Sequence, residues 1–227
     1  MPAFRPTAIL CLFAGALFVG GCSSGDDAPP RTEPNPLLRP ERFADTAPAT
    51  FRVRFETTEG DFVVDVYRSW APLGADRFYN LVAGGFFDDT RVYRVLDGFI
   101  AQFGLSGDPY VNQAWKTEFL VDDPVRRENA RGRVTFAKGG RHTRTTEVFV
   151  NLADNPQLDE NGFAPFGEVV EGMDVVDRFH ADYGDGPPRG EGPYQAMVEA
   201  RGNAYLDEEF PGLTRIVGAS LIPESGS

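Results

Sequence analysis

The chain has 227 residues and carries 34 acidic against 22 basic side chains, which gives a formal net charge of −12. Phosphate binding needs a basic surface stripe, so this composition argues against a nucleic acid partner. Both cysteines lie within the first 22 residues. The rest of the chain must therefore be held together by its core, without disulfides.

The first residues have the pattern of an export signal. Arg5 supplies a positive flank, and residues 8–19 form an apolar run that suits a signal peptide but is too short to span a bilayer. The run ends in small residues followed by Cys22, which resembles the lipobox cut by the bacterial lipoprotein signal peptidase. We predict a lipoprotein signal peptide over residues 1–21 and a lipidated, palmitate-bearing Cys22. The alternative is an ordinary signal peptide followed by a free cysteine.

The predicted lipid anchor implies a location for the protein, and the composition of the chain predicts how it divides into segments. Ser23 after the lipidated residue points to the outer membrane, with the protein on its periplasmic side. Residues 22–49 are rich in Pro, Asp, Ser and Thr, which is typical of a flexible tether. Residues 50–223 are predicted to form one domain, followed by a short tail at 224–227.

The domain begins with the pattern of a β-hairpin. Residues 51–55 alternate apolar and charged side chains, and the alternation resumes over residues 62–66 after a turn. A helix is predicted from about Pro72 to the paired glycines at 84–85. The later predicted elements are strands at 91–95, 99–103, 133–137, 147–151, 166–170 and 216–222, and a helix at 172–180.

About eight short strands with two main helices predict a mainly β fold, a closed eight-stranded antiparallel barrel, because closure removes exposed strand edges. Side chains fill the interior of a barrel of this size, so a binding site is expected on its outer face or among its loops. Residues 181–211 form a C-terminal insertion that is helical near 194–205. The sequence leaves open whether this insertion is a loop excursion, a lid or a docking surface.

Several motifs point to one family. The segment VYRVLDGFIAQFG at residues 92–104 resembles the signature of the cyclophilins, in which Arg94 precedes Phe99 by five residues and Gln102 follows Phe99 by three. The later segments VTFAKGG, EVFVN and PFGEVVEGMDVVD keep the order and spacing of the family. The resemblance covers roughly residues 51–179 and the final strand, and it implies a cyclophilin-like barrel with peptidyl-prolyl cis-trans isomerase activity.

The resemblance also implies the site. Arg94 and Gln102 would be the catalytic residues that face the substrate amide. The implied substrate-binding residues are Phe99, Ile100, Ala137, Lys138, Glu147, Phe149, Leu158 and Phe163. No metal or cofactor is implied. A lone aromatic in a strand would be ordinary core, but these residues match as a set together with Arg94.

The chain departs from the family pattern next to the implied site. Tyr93 replaces the His of many members, Glu147 stands where Gln is expected, and Lys138 replaces the usual Asn. Glu147 is expected to pair with Arg94 or with Lys138, and the sequence leaves open whether it would hold Arg94 in place or draw it away from substrate. Asp182 and Asp185, in a Gly-rich turn, are either calcium ligands or ordinary turn residues. An Arg94 locked in an internal ion pair, with no apolar hollow beside it, would contradict the catalytic interpretation.

Three functions are consistent with these patterns. The first is a monomeric, membrane-anchored isomerase that acts on X-Pro bonds of exported, proline-containing polypeptides. The second is a low-activity proline-peptide-binding or scaffolding module of the same fold. The third, a periplasmic carrier of a small apolar ligand, is disfavoured because side chains would fill the barrel.

Overall fold

The structure is a computed structural model that describes residues 35–223. The predicted signal peptide, Cys22 and the tail at 224–227 lie outside these residues. The strands are β1 (Thr50–Thr57), β2 (Gly60–Tyr67), β3 (Thr90–Arg91), β4 (Arg94–Leu96), β5 (Ile100–Phe103), β6 (Arg133–Phe136), β7 (Val148–Asn151), β8 (Pro165–Glu171) and β9 (Arg215–Ile222). The helices are α1 (Pro72–Ala83), α2 (Pro109–Trp115), α3 (Pro156–Glu160), α4 (Met173–Val176), α5 (Gln195–Arg201) and α6 (Asn203–Glu209).

Residues 35–49 pack against the domain. Leu37 is buried, and its carbonyl oxygen accepts a hydrogen bond from Trp115 Nε1 at 2.8 Å. Farther along, the backbone N–H of Ala47 donates to the carboxylate of Asp76 on α1 at 2.9 Å. The packed chain therefore begins by residue 35 rather than at 50, so the flexible tether predicted over 22–49 does not extend through residues 35–49.

The predicted hairpin at the start of the domain is confirmed. Strands β1 and β2 pair antiparallel, with Phe55 opposite Phe62 and Thr57 opposite Gly60. Gly60 has a φ of 122°, a backbone conformation that a residue with a Cβ rarely adopts. The alternation in both strands sends one set of side chains inward, where Phe55 and Phe62 are fully buried and stack at 4.8 Å.

The closed eight-stranded barrel predicted from the sequence is wrong in strand number and in closure. Within residues 35–223 the sheet has nine antiparallel strands in the order β3-β9-β1-β2-β8-β6-β7-β5-β4, so β3 and β4 are its two edges. Both edges come from the single strand predicted at 91–95. Val92 packs into the main core and Tyr93 into a separate cluster, so the chain leaves one ladder and joins another between them.

The helices also differ from the prediction. The helix predicted at 172–180 is a helical turn of four residues, α4, and α2 follows a turn where no helix was predicted. The predicted helical stretch at 194–205 is broken at Gly202, which has a φ of 57°, into α5 and α6. None of the helices within residues 35–223 is both long enough and apolar enough to cross a membrane.

Candidate functional site

Strand register brings Arg94, Gln102 and Phe149 into one row across the sheet. Arg94 on β4 lies opposite Gln102 on β5, and Gln102 lies opposite Phe149 on β7. Because side chains alternate along a strand, their neighbours Ala101 and Val148 point to the other face, into the main core. We call Arg94, Gln102 and Phe149 the outer row. It lies on the outer face of the sheet, where the sequence placed the binding site.

An apolar hollow adjoins the outer row. Ile100, Phe149 and Leu158 are buried together in a cluster separate from the main core, and Phe99, Ala137 and Phe163 pack against it. The rings of Phe149 and Phe163 meet edge to face at 6.0 Å. These six apolar residues, which the sequence assigned to substrate binding, are thus brought together. They line one part of a cavity of about 920 Å³ that also reaches Arg94 and Gln102.

Arg94 is held from two sides. Its Nη1 donates to Gln102 Oε1 at 2.9 Å, while Nε and Nη2 donate to the two carboxylate oxygens of Asp185 at 2.7 and 3.2 Å. The Arg94 side chain is 17% exposed. An ion pair that locks Arg94, together with the absence of an apolar hollow, would have contradicted the catalytic interpretation. The ion pair with Asp185 is present, but the apolar hollow lies beside it.

Glu147 lies beside the outer row, in contact with Gln102. Its carboxylate accepts hydrogen bonds from the Tyr93 hydroxyl, from Gln102 Nε2 at 2.8 Å and from Gln195 Nε2 at 2.8 Å. Its partners are therefore not the two residues that the sequence suggested, Arg94 and Lys138. Burial raises the pKa of Glu147, although the hydrogen bonds from Tyr93 and Gln102 oppose this rise. Glu147 reaches Arg94 only through Gln102, whose amide bonds both.

Lys138 forms part of the cavity wall with its ammonium group already bound. Lys138 Nζ donates to Asp122 at 2.9 Å and to the carbonyl oxygen of Gly162 at 2.7 Å. The same nitrogen lies 5.0 Å from the ring centre of Phe163. The lysine thus fixes the loop that carries Phe163 against the hollow, and its side chain is only 6% exposed.

The inserted segment contributes residues that the sequence did not assign to the site. Asp185 is 91 positions from Arg94, and Gln195 is 48 positions from Glu147. The hydrogen bond from Arg94 holds the pKa of Asp185 below its usual value, against the opposing effect of burial. An acidic residue in a Gly-rich turn gives no signal of such a distant partner. Within residues 35–223, no group of three or more His, Cys, Asp or Glu side chains could hold a metal ion.

Comparisons with known proteins agree with this geometry. A family model described as cyclophilin type peptidyl-prolyl cis-trans isomerase/CLD matches residues 52–198. The chain is 32% identical over 140 residues to peptidyl-prolyl cis-trans isomerase B of Escherichia coli, covering 56% of this chain and 82% of that protein. It is 30% identical over 135 residues to a peptidyl-prolyl cis-trans isomerase of Acinetobacter baylyi, covering 57% and 72%.

Solved structures show the same fold. A cyclophilin of Cryptosporidium parvum, crystallised in the presence of the dipeptide Ala-Pro, superposes with a TM-score of 0.56 at 19% identity, covering 76% of this chain and 99% of that one. Cyclophilin AquaCyp293 of Hirschia baltica superposes with a TM-score of 0.58 at 16% identity, covering 80% and 77%. The fold, the outer row beside its hollow and the family match over more than half of the sequence lead to one conclusion. The chain belongs to the cyclophilin-type peptidyl-prolyl cis-trans isomerase enzymes.

Proposed function

We propose that this isomerase acts on X-Pro bonds of exported polypeptides, with the proline ring in the apolar hollow and Arg94 beside the proline nitrogen. The observation that carries the proposal is the outer row, which places a guanidinium next to a buried aromatic pocket on one open face. The cyclophilin crystallised with Ala-Pro supports a proline-containing peptide as the occupant.

The chemistry follows from the electronic structure of the amide. Resonance gives the C–N bond partial double-bond character, so its rotation has a barrier of about 18–20 kcal/mol. At the top of that barrier resonance is lost and the nitrogen lone pair can accept a hydrogen bond. A donor from Arg94 would therefore bind the twisted amide more strongly than the planar one, which is the condition for raising the rate. Gln102, bonded to Arg94 Nη1, would orient that donor.

The free energies involved indicate that Arg94 and the apolar hollow would both contribute to the rate acceleration. An acceleration of a thousand- to a million-fold requires about 4–8 kcal/mol. One preorganised donor in a site shielded from water typically contributes about 2.7–4 kcal/mol. Removal of water by Ile100, Phe149 and Leu158, all buried, would supply the remainder.

The test compares isomerisation of a short X-Pro peptide by the wild type and Arg94→Ala. We expect kcat/KM to fall about 100- to 1,000-fold, the range for loss of one such donor. Arg54→Ala, at an exposed position of β1, is the matched control and should retain activity. Equal, near-background rates for wild type and Arg94→Ala, with peptide binding retained, would instead identify a proline-binding module. The Asp185 ion pair, which occupies two N–H donors on one edge of the Arg94 guanidinium, is the observation that keeps this second function open.

Export and anchoring rest on the sequence, since Cys22 lies outside the described residues. The apolar run at 8–19 and the small residues before Cys22 support a lipid anchor, and each buried acyl methylene adds about 0.8 kcal/mol of membrane affinity. Mass spectrometry of the mature N-terminus and fractionation of expressing bacteria test this. Cys22→Ser removes the residue at which the chain would be cut and acylated, so its N-terminus should carry no lipid, whereas an unacylated Cys22 in the wild type would exclude the anchor.

The site is built from residues of a single chain, which supports activity as a monomer. Sedimentation of the domain at the assay concentration tests this, and a dimer would contradict it.

A further inference from the structure

Asp185 lies on a tightly closed loop of the insertion. The backbone N–H of Gly192 donates to the carbonyl oxygen of Asp185 at 2.9 Å, which closes the loop at its base. A Cβ added to Gly190 would lie 2.3 Å from the same carbonyl oxygen, so a larger residue would force the loop apart. The glycines of this loop therefore allow the chain to turn back tightly after Asp185.

The loop is also fixed to the domain at both ends. Before it, the hydroxyl of Tyr183 donates to the carbonyl oxygen of Pro211 at 2.6 Å, and its ring meets Phe210 edge to face at 5.1 Å. After it, the backbone N–H of Tyr194 donates to the Tyr205 hydroxyl at 3.2 Å. Behind these contacts lies an apolar cluster outside the main core, which we call the satellite cluster; it consists of Tyr93, Leu105, Val198, Tyr205, Leu206, Phe210 and Leu213. The folded part of the insertion that carries Asp185 is therefore packed against the domain, and we call it the platform.

The contacts of Arg94 leave part of its guanidinium available. A guanidinium carries five N–H donors. Asp185 accepts two of them and Gln102 accepts one, so two N–H donors remain. Asp185 and Gln102 hold different nitrogens, which fixes the plane of the group as well as its position. With Asp185 removed, Gln102 would be the remaining hydrogen-bond partner among the described residues.

We propose that Asp185 is a positioning residue that holds the Arg94 guanidinium in the orientation needed to meet the proline nitrogen. This inference rests on the proposed function of Arg94. Ordering a long side chain before substrate binds removes an entropic cost from the reaction step, and a misplacement of about 1 Å can cost up to ~100-fold in rate. Asp185 therefore acts on kcat through Arg94 and not on peptide binding in the hollow.

The test replaces Asp185 with Ala and with Asn in the full chain and measures isomerisation of a short X-Pro peptide. We expect Asp185→Ala to lower kcat about 10-fold or more with KM little changed. Asp185→Asn, which keeps one acceptor, should lie between Asp185→Ala and wild type. Asp182→Ala removes the same charge from an exposed position of the same segment and should be silent.

A second measurement separates positioning from folding. The Nε–H of Arg94 should give a distinct, slowly exchanging NMR signal in the wild type and lose that protection in Asp185→Ala. Gly190→Ala offers an independent variant, since it displaces the loop without altering a charged group, and it should reproduce the loss of kcat.

The outcomes distinguish the two proposals. An unchanged or increased kcat in Asp185→Ala, with Arg94→Ala inactive, would overturn the positioning role and show that the ion pair is neutral or restraining. Equal activity in wild type and Arg94→Ala would defeat the proposed function of Arg94. The Nε–H signal would still report whether Asp185 orders that side chain, and unchanged protection in Asp185→Ala would overturn the inference on its own.

Discussion

The outer row and the inserted segment reach the same guanidinium by different routes. The outer row is fixed by strand register, since Arg94, Gln102 and Phe149 face each other across neighbouring strands. Asp185 reaches Arg94 from a loop 91 residues away, and its position depends on a satellite cluster outside the main core. The binding hollow and the orientation of the arginine therefore have separate structural supports, so they should fail separately.

The largest effect is expected at the hollow. Phe149→Ala removes a ring that is 2% exposed, and large-to-small core changes of this kind cost about 3–5 kcal/mol. We expect a lower free energy of unfolding by denaturant and an increased KM for proline peptides. Phe119→Ala, which removes a 59% exposed ring that also lines the cavity, is the matched control. Unchanged KM in Phe149→Ala would show that the hollow does not bind the peptide.

The support of the insertion should give the next largest effect. Leu206→Ala empties a position that is 2% exposed in the satellite cluster, and such changes cost about 2–5 kcal/mol. The void left by the missing Leu206 side chain would loosen the platform that carries Asp185, so we expect kcat to fall with KM nearly constant. Leu73→Ala, at an exposed position of α1, should leave both constants unchanged. A rise in KM without a change in kcat would contradict the separation of the two supports.

The buried carboxylate that touches both regions should give a pH-dependent effect. Because burial raises the pKa of Glu147 above its ordinary 4.5, the folded state binds more protons than the unfolded state between those two values. The free energy of unfolding should therefore fall as pH rises through that window. Glu147→Gln should remove this loss and stabilise the protein at neutral pH by about 0.5–2 kcal/mol, the range common for stabilising substitutions.

Denaturant titrations at pH 4 and pH 7 measure this difference. The gain from Glu147→Gln should be present at pH 7 and absent at pH 4, where both proteins are neutral at this position. Glu56→Gln, at an exposed position of β1, is the control and should show no such dependence. Equal gains at both pH values would mean that ionisation of Glu147 is not the cause.

The smallest effect is expected at the surface of the insertion. Arg201 pairs with Glu208 at 2.6 Å and is 40% exposed, and surface ion pairs contribute about 0–1 kcal/mol. We expect Arg201→Ala to change the denaturant midpoint little and kcat not at all. A loss as large as that of Leu206→Ala would show that charges rather than apolar packing hold the platform.

Residues that follow local periodicity could be predicted from the sequence. The hairpin of β1 and β2 and the helix α1 follow apolar spacing. The family motifs correctly identified the six apolar residues that line the hollow. Partners of charged groups could not be predicted, because Glu147 and Asp185 bond residues that lie far away in the sequence. The break between β3 and β4 was missed because Val92 and Tyr93 look like one strand but pack into different clusters.

The most direct measurement is a double-mutant cycle on kcat with Arg94→Ala and Asp185→Ala. If Asp185 acts by orienting Arg94, its removal should lower kcat about 10-fold in the wild type and have no effect when Arg94 is already Ala. An equal loss of kcat in both backgrounds would show that Asp185 acts independently of Arg94 and does not orient its guanidinium.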